Sequence, residues 1–105
     1  MARVVVRPAA RRGLTRHFAY LVENAGLEVA RRFRDSARTT FDGLAKMPEM
    51  GSPRNIGRFT DLRMWRVRGF EKHLIFDRSL RDRIQIERVI HAAQDYTRVL
   101  ARSKR

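Results

Sequence analysis

The segment PEMGSP, residues 48–53, separates two halves of the chain whose apolar residues repeat with different periods, and this change constrains the fold more than any other feature. Upstream, Ala10, Leu14, Phe18, Leu21 and Val22 follow helical spacing, as do Leu27, Ala30, Phe33, Ala37, Phe41 and Leu44. Each set lines one side of an α-helix. Asn24-Ala25-Gly26 ends the first helix, because Asn and Gly tolerate the left-handed backbone of helix ends, and so short a link makes the second helix return antiparallel to the first. Before them, RVVVR (3–7) reads as a strand stopped by Pro8, a residue suited to the first position of a helix. Residues 47–58 lack any period and are expected to be a loop. Beyond it the period falls to two: DLRMWRV (61–67), FEKHLIFD (70–77) and RIQIERVIH (83–91) are strands of an antiparallel meander, turned at Gly69 and SLRD. Asp95 to Ala101 forms a short last helix, and RSKR is a frayed basic end.

These elements predict an α+β domain of two layers: the first strand joins the meander in one sheet, and the helical hairpin covers one face. A length of 105 residues supports one core, so residues 1–105 are expected to be a single domain. In LRMW and LIFD apolar residues are adjacent and point to both sheet faces, so the second face needs cover from the C-terminal segment, a second copy or a partner. Trp65 and Phe76 are expected in the core and not on an exposed platform for stacking bases.

The 24 Lys and Arg against 11 Asp and Glu give a net charge of +13, and only Lys46, Lys72 and Lys104 are lysines. Guanidinium groups grip phosphate and carboxylate in two places, so an anionic macromolecule is the expected partner, with an arginine-rich solvated surface as the bland alternative. No cysteine is present, which removes disulfides and thiolate metal sites and fits a reducing compartment. No apolar run approaches the roughly 20 residues of a membrane span, and MARVVVRP lacks the features of a secretion signal, so the cytoplasm is the expected location.

Arg54, Arg58, Arg63, Arg78 and Arg81 lie in the loop and at strand ends that a meander brings together, and they form the candidate anion-binding patch. His91 and Tyr96 are a base and a phenol close in sequence; with Arg78 they make the candidate catalytic set if the chain cleaves RNA. The competing reading makes His91 a structural residue bonded to backbone or Asp95, and it is preferred, so no catalytic residue is assigned. His17 and His73 read as isolated, and His91 with Asp95 supplies two ligands where zinc wants three or four, so neither a metal nor another cofactor is expected. The helical hairpin carries Arg11, Arg12, Arg16, Arg31, Arg32, Arg34 and Arg38, either as a solvated face or as a dock for an acidic segment.

Three segments in this order resemble the ParE/RelE superfamily of bacterial toxins, and the ParE branch most closely. They are ARRFRDSARTTFDGLAKMPEMGSPR, with Ala30, Phe33, Phe41, Leu44, Pro48, Gly51 and Arg54; LRMWRVRGFEKHLIFDR, with Arg63, Val67, Phe70, Ile75 and Arg78; and IERVIHAAQD, with Val89, His91 and Asp95. The resemblance implies the toxin of a type II toxin–antitoxin system, of the kind that stabilises plasmids, neutralised by an acidic antitoxin in a hetero-oligomer. It implies DNA gyrase as the target, with ribosome-dependent mRNA cleavage of RelE type as the alternative; a non-toxic basic nucleic-acid-binding module is the third reading. Arg31, Arg34, Arg38, Met64 and Ile75 are the implied antitoxin contacts. Asp77 departs from the pattern, since the family often carries an aromatic residue, commonly Tyr, just before the arginine.

Overall fold

A computed structural model describes residues 3–56, 59–94 and 96–102. Strand β1 (Arg3–Val6) leads into helix α1 (Pro8–Ala25), with proline at the first turn. Gly26, at φ 96°, separates α1 from α2 (Leu27–Lys46). A positive φ is where glycine costs least, so the chain reverses there. Phe18 and Arg34, equally distant in sequence from Gly26, then meet, with the guanidinium carbon 5.8 Å from the ring centroid.

Strands β2 (Ser52–Ile56), β3 (Phe59–Val67), β4 (Phe70–Ser79) and β5 (Arg83–His91) follow, and α3 (Tyr96–Ala101) ends the fold. The sheet has the order β1-β5-β4-β3-β2. β1 runs parallel to β5, and the other pairs are antiparallel. β2 corrects the expectation of a loop over residues 47–58. Proline and glycine break periodicity, yet proline is tolerated in an edge strand, and Pro53 sits there opposite Arg63. Gly51 lets the entry to β2 lie close to β3, since a Cβ there would stand 3.0 Å from the Met64 carbonyl oxygen.

The core has two compartments, one on each sheet face. On the helix side, Ala10 of α1 and Phe33, Ala37, Phe41 and Leu44 of α2 pack on Val67, Ile75, Ile84, Ile86 and Val89. Gly13 permits this approach: a Cβ there would lie 2.6 Å from the backbone oxygen of Val89. On the opposite face, Leu62, Met64, Leu74, Phe76 and Ile90 are closed over by Leu100, Tyr96 and Val99 of α3. The C-terminal segment therefore supplies cover for the second face. Phe76 is wholly buried as expected, but Trp65 remains 36% exposed. Trp65 pairs with Ile75 and shares its face, one strand farther out, where Val67 is the one β3 residue among the described side chains that enters the helix-side core. Among the described residues no helix is long and apolar enough to cross a membrane.

Candidate functional site

Of the five arginines expected to form one anion-binding patch, the four within the described residues do not come together at one point. Arg54 and Arg78 lie in one cross-strand row with Leu62 between them, while Arg63 belongs to the next row and faces the helix side. Arg58 lies outside the described residues, and Arg81 is exposed in the β4–β5 turn. Arg78 is heavily engaged. Its Nε donates to Asp61 Oδ1 at 2.9 Å, its Nη2 donates to Asp61 Oδ2 at 3.0 Å, and its Nη1 stands 3.7 Å from Glu87 Oε2. The hydrogen bond to Asp61 raises its pKa further. Arg63 has a structural task, since its Nη1 donates to the Gly51 carbonyl at 2.9 Å and so ties β3 to the entry of β2.

The groups considered for RNA cleavage are dispersed as well. Tyr96 packs on Phe76 in the α3 compartment, with ring centroids 5.2 Å apart. His91 faces the other side, toward His17 of α1. Arg78 lies far along β4 from His73, the residue that pairs with His91, at roughly 3.3 Å per residue of strand. His91 Nδ1 accepts the Ala93 backbone N–H at 3.0 Å, which is a turn-closing bond; Asp95 lies outside the described residues.

Of the implied antitoxin contacts, Arg31, Arg34 and Arg38 are exposed on α2, whereas Met64 is 8% exposed under α3 and Ile75 is wholly buried beneath the helices. Ile75 thus offers no surface to a partner, because its place on the central strand β4 puts it under α2. Arg34 and Arg38 instead rim a cavity of about 520 Å³ where α1, α2 and β1 meet, together with Arg11 and Asp42. Its floor is apolar, built from Val4 and Val6 of β1, Phe18 of α1 and Phe33 and Phe41 of α2. Among the described residues β1 has β5 as its one strand neighbour, so its other edge lies beside this groove.

Two buried titratable features complete the picture. Asp77 is 0% exposed, and among the described residues neither carboxyl oxygen has a hydrogen-bond partner. Burial pushes its pKa up to about 7, against the pull of Arg63 across the strand pair. The second is a histidine cluster. His17 and His73, which read as isolated, meet His91 on the helix side of the sheet. Their spacing carried a signal: His17 falls on the stripe of Ala10, Leu14 and Leu21, while His73 and His91 alternate with Ile75 and Val89.

The chain matches the family model described as ParE toxin of type II toxin-antitoxin system, parDE, over residues 4–96. It belongs to the ParE toxin family. Among solved structures, this ParE-family chain is similar to one described as the chromosomal ParDE TA system from P. aeruginosa, with a TM-score of 0.69 over 87% of this chain and 96% of that one. Sequence identity is 18%, so this likeness speaks for the fold alone. No curated protein matches.

Proposed function

We propose that this ParE-family chain acts in the cytoplasm as a single-domain toxin, held inactive by an acidic antitoxin and inhibiting DNA gyrase when free. The observation that carries the antitoxin half of this reading is the groove between α1, α2 and β1. An apolar floor with Arg11, Arg34 and Arg38 on its rim fits a segment that presents aliphatic side chains inward and carboxylates outward. The gyrase half rests on family membership. The nuclease alternative loses its support because His91, Tyr96 and Arg78 stand apart.

Expression of the chain alone in bacteria tests the reading. Growth arrest with an SOS response and trapped gyrase–DNA complexes is the expected result, relieved by co-expression of a short acidic protein encoded beside it. Cuts in ribosome-bound mRNA within minutes would transfer the assignment to the nuclease. Unimpeded growth would favour a harmless basic binding module.

A further inference from the structure

Three imidazoles with no part in that reading gather at one spot. His17 comes from α1, His73 from β4 and His91 from the end of β5; ring centroids lie 4.8 Å apart for His17–His73, 5.1 Å for His73–His91 and 6.2 Å for His17–His91. His73 is 6% exposed, and among the described residues neither of its ring nitrogens has a hydrogen-bond partner. A second proton on that ring would be shut off from water, and the pull of the Phe70 backbone toward the protonated form does not make up for the burial.

The surroundings of the cluster make a charge more costly still. From α2 comes the ring of Phe33, 4.8 Å from His73, and from β4 that of Phe70, 6.2 Å away. From α1 comes Arg16, whose charge opposes a proton on His17, and from β5 comes His91 itself. Among the described residues no carboxylate pairs with any of the three, as the salt bridges there involve only arginines. Nor do the rings form a cation site: the described residues contain no group of three or more His, Cys, Asp or Glu side chains able to hold a metal ion.

We propose that this trio is a proton-triggered release for α1: uncharged, it packs the helix onto β4 and β5, and on taking up protons it drives the helix off the sheet. Opening occurs between α1 and the sheet because one ring travels with the helix and two stay with the strands. Burial, then His73 and His91, lower the pKa of His17 from 6.5 to about 4, and burial followed by His91 lowers that of His73. The sign follows from linkage. A lowered pKa means that the opened form binds more protons, so the closed form is favoured above pH 6.5 and lost as pH falls toward 4.

Asp77 titrates in the opposite sense, so a global melt would mix the two effects and the measurement must be local to α1. Hydrogen exchange of the α1 amides in the full chain, corrected for the intrinsic pH dependence of exchange, is the direct test. Between pH 7.5 and pH 5 their protection is expected to fall by roughly tenfold to thirtyfold, the upper figure being the full His17 shift and the lower allowing for solvent screening. Amides of β4 keep their protection. The variant His17→Gln is expected to lose clearly less α1 protection over this range than the unmodified chain, because only the His73 contribution remains. Equal losses in His17→Gln and the unmodified chain, or no loss in either, would overturn the proposal. Should that variant fail to fold, NMR titration of the unmodified chain decides instead: His17 and His73 are expected to titrate below 6.5, and titration of both at or above it would refute the idea.

Discussion

Asp77 shows how much one side chain can set the response of a domain to pH. Its folded pKa of about 7 lies above the ordinary 3.8, so the folded state holds a proton that the unfolded chain releases. Its contribution is fully favourable below 3.8 and is lost as pH rises through about 7. Asp77→Asn keeps the shape without the charge. Its stability relative to the unmodified chain is therefore expected to be greater at pH 8 than at pH 5, by roughly 2 kcal/mol, as measured by urea denaturation at both pH values. An unchanged difference would mean that the carboxylate finds solvent or a partner when it ionises. Glu87 provides the contrast, since it too is buried yet accepts from Gln85 Nε2 at 2.6 Å and has Arg7 and Arg78 within ion-pair reach.

Among the elements, the two helices place glycine to different ends. Gly13 stands where α1 touches β5, and Gly43 stands in α2 with nothing within 4 Å of the position a Cβ would take. Gly13→Ala is expected to cost about 1–3 kcal/mol, because a methyl group would meet the Val89 carbonyl and push the helix from the sheet. Gly43→Ala should gain about 0.5–1 kcal/mol from helix propensity. Thermal or urea melts of the two variants check both signs. α3 is only six residues long, yet it seals the second face of the sheet. Leu100, 1% exposed, is its main anchor. Leu100→Ala is expected to lose about 2–4 kcal/mol and to raise the binding of a hydrophobic dye, since Phe76 and Leu74 beneath it would be uncovered.

At the scale of the whole molecule, a net charge of +13 makes association with an acidic partner fast and dependent on salt. Reversing two rim charges, in Arg34→Glu with Arg38→Glu, is expected to weaken antitoxin binding by roughly tenfold to a hundredfold at low salt, mainly by slowing association. Surface-based binding kinetics at two ionic strengths would show it, and equal affinity for both proteins would remove the groove from the interface. The order of the elements was legible because Phe33, Ala37 and Phe41 keep helical spacing, while Leu74, Ile75 and Phe76 can be buried together only in a strand with two covered faces. β2 was not legible, because Pro53 and Gly51 carry the marks of a loop and their pairing depends on a strand ten residues later. Trp65 was misread for a related reason: alternation gives the face of a residue, but not whether a helix reaches that far across the sheet. The site suffered most. His17, His73 and His91 are remote in sequence, and Arg54 and Arg63 differ in face, so only the topology joins the first set and divides the second.

The two outer strands also govern how the protein behaves toward copies of itself. Pro53 removes one N–H from β2, whereas β1 has no second strand beside it among the described residues. The β1 flank is thus the more receptive of the two to an added strand, and Pro53 on the far flank hinders the growth of such a pair into a longer stack.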